Sequence, residues 1–189
     1  FELIVSAEER PGNWLPLHPE SDNLLVRQTF RDRKTDRRAT LTIKCLDPQR
    51  SNVLDPQAFA ASFSQVVPFV AGTAHLFSQW MELFGAHENQ LPPNDQQMCL
   101  AAGGDPQIHY HNSCWRLSPE QALVIEFTPP QVFLAWNFQL SNYWMESLDY
   151  RHHRIAVNNS GAELDADGRV CIVVAHENPG PRYPNWLCT

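Results

Sequence analysis

Along much of this chain apolar and polar residues alternate one by one, the pattern of a strand with one buried face. The clearest case is residues 132–140, where Val132, Leu134, Trp136, Phe138 and Leu140 share one parity and Asn137 and Gln139 stand between them. Residues 1–5, 24–30, 39–46, 107–117, 122–127, 149–157 and 169–176 read as further strands. In 39–46, Leu41, Ile43 and Cys45 alternate with Thr40, Thr42 and Lys44, so this segment and 24–30 are expected to pair across the charged loop at 31–38, one face in water. Ser118-Pro119-Glu120 and Thr128-Pro129-Pro130 punctuate the later strands, and Asp167-Gly168 is a turn signal joining 149–157 to 169–176.

The period changes after residue 54. Asp55-Pro56 has the form of a helix start, an aspartate to accept orphan amides and a proline where a missing N–H costs nothing. Phe59, Phe63, Val66, Val70, Ala74, Phe77, Met81 and Phe84 then recur in steps of three and four. Such a stripe is expected to pack against a sheet, with Pro68 and Gly72 kinking the helix or dividing it in two. Residues 89–106 read as a long loop. The expected class is α+β, mainly an antiparallel jelly-roll-like β-sandwich with a helical insert. It divides into N-terminal strands and connections at 1–54, the insert at 55–88 and a C-terminal β-sandwich at 89–189, together one compact domain.

One motif occurs twice. Asn13-Trp14-Leu15 precedes the strand-like 24–30, whereas after Asn185-Trp186-Leu187 the sequence given ends at Thr189. An equivalent strand is expected beyond Thr189, and Phe1 in place of Met suggests missing residues upstream, so the domain reads as truncated at both ends.

Composition narrows the function classes. A net charge of −7 opposes a nucleic-acid surface, and the basic run Arg27, Arg31, Arg33, Lys34, Arg37 and Arg38 is interrupted by Asp32 and Asp36, as a solvated loop would be. No apolar run approaches a membrane span. Five cysteines, with no C-x-x-C pair, suggest neither a disulfide framework nor a zinc knuckle and point to a reducing, cytoplasmic setting. Walker, G-x-G-x-x-G and G-x-S-x-G patterns are absent from the sequence.

Long, tryptophan-rich motifs make the chain recognisable. Pro11-Gly12-Asn13-Trp14-Leu15, Gly103-Gly104-Asp105-Pro106, Trp136-Asn137-Phe138-Gln139-Leu140, Asn142-Tyr143-Trp144, Glu146-Ser147-Leu148-Asp149-Tyr150-Arg151 and Asn185-Trp186-Leu187 resemble the bacterial family called domain of unknown function 1214. The resemblance runs over essentially the whole chain and implies a jelly-roll-like β-sandwich with accessory helices. It implies no reaction. Where the family tends to carry an aspartate this chain has Cys188, and the Gly-His segment and Arg-Trp strand that end the family pattern are not in the sequence given.

The residues that could carry chemistry gather around 136–151. Trp136, Asn137, Tyr143, Trp144, Glu146 and Asp149 combine large rings with a few polar anchors, the make-up of a small-molecule pocket. Glu146 and Asp149, three apart, are also the candidate catalytic pair for acid/base work, although a turn cap and an ion pair with Arg151 or Arg154 would use them equally well. His109 and His111, two apart on an expected strand, would project to one side and resemble the first metal motif of the cupins. The glutamate that motif needs is replaced by Trp115 and Arg116, so no cofactor is expected, and a metal held with help from His152, His153 or His176 is the lesser alternative. The leading expectation is therefore a domain that binds a small, largely apolar molecule in an aromatic and carboxylate-rimmed pocket. The alternatives are an enzyme using that pocket, metal-assisted or acid/base, and a self-assembly module forming homo-oligomers.

Overall fold

A computed structural model describes residues 1–21, 23–46, 53–131 and 135–188. Among the described residues there are two helices and seven short strands, the strands form three small sheets, and no closed barrel is found. The chain divides into a unit of residues 1–43 and a unit of residues 44–189; the helical insert and the later strands belong to the same unit.

In the first unit β1 (Ile4–Ser6) and β2 (Trp14–Pro16) pair in parallel, Ile4 opposite Trp14 and Val5 opposite Leu15. The expected hairpin of 24–30 with 39–46 does not form. Its turn is present, because the Asp36 carboxylate accepts the backbone N–H of Arg31 (2.6 Å) and Asp32 (3.1 Å) while the Asp32 carboxylate accepts that of Lys34. Beyond the turn, the Gln28 side chain bonds the backbone of Ala39 in place of a ladder, and Leu24, Leu25, Val26, Leu41 and Ile43 are all exposed. Alternation gave these segments an apolar face but nothing buries it, and an unburied face does not stabilise a two-stranded ribbon.

The second unit opens with α1 (Pro56–Gly85), 30 residues long. Asp55 caps it as its sequence predicts, accepting the amides of Gln57 (2.8 Å) and Ala58 (3.4 Å), with Pro56 in the first turn. The helix is assigned without a break through Pro68 and Gly72, so it is not divided in two. Packing of the whole stripe against a sheet, as expected, is not found among the described residues. Met81 and Phe84 are buried, whereas Phe59, Phe63, Val66 and Val70 face solvent. Ring contacts within the helix, Phe59 with Phe63, Phe77 with Trp80 and Trp80 with Phe84, cover only part of the stripe. A second helix, α2 (Gln96–Ala101), capped by Asp95, lies in what reads as a loop.

The remaining strands make two sheets around one apolar cluster. β3 (Ala122–Phe127) runs antiparallel to β6 (Val170–Ala175), whose other edge takes β7 (Trp186–Cys188) in parallel; β4 (Asn137–Gln139) pairs antiparallel with β5 (Ala156–Asn158). The three-stranded sheet is thus mixed and the β4–β5 pair antiparallel, where a mainly antiparallel sandwich is expected. Leu140, Ile155 and Val157 from the β4–β5 side meet Val170, Ile172, Val174 and Leu187 from the other sheet, and Trp136, Phe138 and Phe127 pack against them half-buried. Five of six β6 residues are buried, as fits a central strand.

Asp167-Gly168 marks a turn, though not a β5–β6 hairpin, since those strands lie in different sheets. The Asp165 carboxylate accepts the amides of Asp167 and Arg169, Gly168 supplies the positive φ (76°), and the flanking bridge joins Leu164 to Val170. Three of the residues expected in the strand 132–140, at 132–134, lie outside the described residues. Residues 107–117 form no strand either. Asn89 bonds both backbone groups of Arg116 through its side-chain amide and donates its own N–H to Cys114, while Asn94 bonds Tyr110 and Asn112. Asparagine side chains stand where a neighbouring strand would otherwise supply partners.

Candidate functional site

The densest group of candidate residues is set by one asparagine. After β4 the chain turns at Asn142, whose Oδ1 accepts the N–H of Trp144 (3.0 Å) and Glu146 (2.9 Å). Its own N–H donates to the Glu146 carbonyl, its carbonyl accepts from Met145, and its Nδ2 donates to Glu146 Oε2 at 2.6 Å. Met145 adopts φ 61°, a conformation unfavourable for a side chain without such bracing. The result is a tight loop that turns Tyr143 and Trp144 outward, 57% and 49% exposed, with their rings edge-to-face at 5.0 Å.

Glu146 and Asp149 are both engaged. Glu146 holds the Asn142 amide. Asp149 accepts Arg151 Nε (3.0 Å), Nη2 (2.9 Å) and backbone N–H (3.0 Å), and its carbonyl accepts from His152 and His153. The Arg151 side-chain hydrogen bond is the main reason that the Asp149 carboxyl lies below the usual carboxylate range. Asp149 is therefore ionised at neutral pH, with no proton to donate and a weakened tendency to accept one, and both carboxylates brace the backbone turns.

Trp136 and Asn137 sit elsewhere on β4 and its approach. Trp136 packs edge-on against Phe127 at 5.1 Å and lines a cleft of about 210 Å³ with Pro129, Asn159, Ala162 and Leu164. Asn137, of opposite parity, is exposed and stands opposite Asn158. A second cleft, of about 330 Å³, is lined by Arg154, Asn178, Tyr183 and Trp186 among others. Tyr143, Trp144, Glu146 and Asp149 line neither cleft, so the six candidates are not gathered around one cavity.

No strand orients the two candidate histidines. His109 and His111 are exposed and lie outside any strand; His111 forms an isolated bridge with Pro93 and its Nδ1 lies 3.3 Å from the Leu91 carbonyl oxygen. Without a strand, the two-residue spacing does not place both rings on one side. Among the described residues no group of three His, Cys, Asp or Glu side chains is placed to hold a metal ion. None of the five cysteines is in a disulfide, and burial raises the Cys171 thiol above its ordinary value.

Two features escaped the sequence reading. Asn142 controls the aromatic loop, and its signal was an asparagine immediately after a strand, the residue type that bonds backbone two residues on. The Arg154–Trp186 cleft was signalled only by the second Asn-Trp-Leu motif.

No family model matches the chain, and no curated protein matches it. Among solved structures, an uncharacterised protein from Burkholderia cenocepacia is 47% identical over 98% of this chain and 51% of that one, with a TM-score of 0.88. The two proteins share a fold over that stretch, and this chain spans about half the length of that relative. No described helix is long and apolar enough to cross a membrane.

Proposed function

We propose that this chain is a ligand-binding domain of the domain of unknown function 1214 type, a jelly-roll-like β-sandwich whose binding element is the loop at 142–146. The ligand class is a small, largely apolar molecule that lies against Tyr143 and Trp144, with Glu146 at the rim. One observation carries this reading: two large rings are kept in solvent by a loop whose hydrogen bonds and positive φ hold it in that shape. Ordering these rings in advance lowers the entropy lost on binding. The sharing of one apolar cluster by two sheets supports the sandwich. Binding is favoured over acid/base catalysis because Asp149 is committed to Arg151 and Glu146 to Asn142.

The experiment is a fragment screen with small aromatic and alicyclic compounds, read on the indole N–H resonances of the 15N-labelled protein. Trp144→Phe assigns one resonance. Hits are expected to move the Trp144 signal and to lose affinity at least about tenfold in Tyr143→Ala, which removes a flanking ring worth on the order of 1 kcal/mol or more. Hits that move only the Trp136 or Trp186 signals would place the binding site in a cleft and overturn the reading.

A further inference from the structure

The two Asn-Trp-Leu segments fold into the same hydrogen-bonded module. In the first, the Asn13 carbonyl accepts the N–H of Ile4 (2.9 Å), Asn13 Nδ2 donates to the Glu2 carbonyl (3.1 Å), and Trp14 Nε1 donates to the Ser6 carbonyl (3.2 Å). In the second, the Asn185 carbonyl accepts the N–H of Val173 (3.4 Å), Asn185 Nδ2 donates to the Cys171 carbonyl (3.1 Å), and Trp186 Nε1 donates to the Ala175 carbonyl (3.0 Å). Both strand pairs are parallel, with Ile4 and Val173 opposite the tryptophans and Val5 and Val174 opposite the leucines. Phe1, Leu3 and Val5 therefore correspond to Val170, Ile172 and Val174, and Leu15 corresponds to Leu187.

The second copy shows what the first lacks. On the far edge of β6, β3 pairs antiparallel, Leu123 opposite Val174, Ile125 opposite Ile172 and Phe127 opposite Val170. Val170, Ile172, Val174 and Leu187 are each fully buried. In the first copy Phe1, Leu3 and Leu15 are exposed and Val5 is half-exposed. Ile4 and Ser6 direct their backbone groups at β2, as the Ile4–Asn13 and Leu17–Ser6 bonds show, so Leu3 and Val5 direct theirs at the open edge.

We infer that the open edge and apolar face of β1 are the seat of an antiparallel β-strand with the pattern of β3, contributed by a further segment of the same polypeptide outside these 189 residues. Main-chain bonds to Leu3 and Val5 would supply affinity, and alternate apolar side chains the fit, as in strand addition generally. The candidate strands 24–30 and 39–46 form no strand, with Leu24, Leu25, Val26, Leu41 and Ile43 exposed, and β3 itself is paired with β6. The Burkholderia relative carries about half of its chain outside the match, which is ample length for such a strand. This inference is independent of the ligand loop.

The test fuses the sequence of residues 121–128 ahead of Phe1 through a short Gly/Ser linker. This polarity suits an antiparallel hairpin, since Phe127 would lie opposite Phe1 as it does opposite Val170. Amide exchange at Leu3 and Val5 should slow at least about tenfold relative to a fusion carrying the same residues scrambled, while Ile4, already bonded to β2, changes less. Val5→Pro, which removes an N–H facing the open edge and none facing β2, should restore fast exchange at Leu3. Equal exchange in both fusions would overturn the inference. Protection of Leu3 and Val5 already present in the unfused chain would do so too, assigning the seat to a second copy if it grows with concentration and to the chain's own 24–46 region if it does not.

Discussion

Leu15 and Leu187 occupy the same place in the same module, and they meet opposite surroundings. Leu187 is 0% exposed, beneath the cluster that β4, β5 and β6 share, whereas Leu15 is 41% exposed. The hydrogen bonds of the module are common to both copies, so they do not by themselves create a core. Strand pairing fixes which side chains share a face; a second layer decides whether that face is worth free energy.

The largest expected effect follows directly. Leu187→Ala removes a buried side chain from a packed cluster and should cost about 2–5 kcal/mol, whereas Leu15→Ala should fall within about 0.5 kcal/mol. Urea denaturation of both variants measures the contrast. Similar costs would mean that Leu15 is covered in solution, and the open face of β1 would then have to be abandoned. In the strand fusion described above, Leu15→Ala should become measurably destabilising.

A smaller contrast separates the two asparagines. Asn185 is 1% exposed and its side chain accepts from the Glu163 N–H and donates to the Glu163 and Cys171 carbonyls. Asn185→Ala strands polar groups at the edge of the core and should cost about 2–3 kcal/mol. Asn13 makes the equivalent bond to Glu2 in water, and Asn13→Ala should cost about 0.5 kcal/mol or less. Equal losses would show that the asparagine acts through the backbone geometry of the module rather than through burial.

The same distinction explains what could be read from the sequence. β3 and β6 were legible because their alternation or apolar run coincided with real burial, and the start of α1 because Asp55 and Pro56 act locally. The stripe of α1 was legible as a stripe but not as exposed, since periodicity records which residues share a face and not what lies opposite. Residues 107–117 failed differently: Asn89 and Asn94 took the backbone groups that a strand partner would have used, a long-range choice with no local pattern. β7 was too short to register beside its loop. In the candidate site, Tyr143, Trp144 and Glu146 lie on the loop braced by Asn142 with Asp149 just beyond it, whereas Trp136, grouped with them through adjacency in sequence, packs its ring on Phe127.

The smallest expected effect concerns the polar loop, where neither copy of the module contributes. Asp149 and Arg151 are joined by three hydrogen bonds yet lie largely in solvent, so the pair shapes the segment after the aromatic loop without a core behind it. The folded carboxyl lies below its ordinary value, chiefly through the Arg151 side chain. Its stabilising contribution is therefore complete above the unfolded carboxylate value and is lost as pH falls through the lowered folded value. Thermal stability should be insensitive to this group near neutrality, and Asp149→Asn should flatten only the acid limb of the pH profile. A carboxyl 13C titration should show a midpoint below that of an ordinary aspartate, moving back toward it in high salt as an exposed pair is screened. A midpoint at the ordinary value in low salt would mean that the Arg151 fork is open in solution. The shape of 149–153 would then rest on the backbone bonds of His152 and His153 to the Asp149 carbonyl alone.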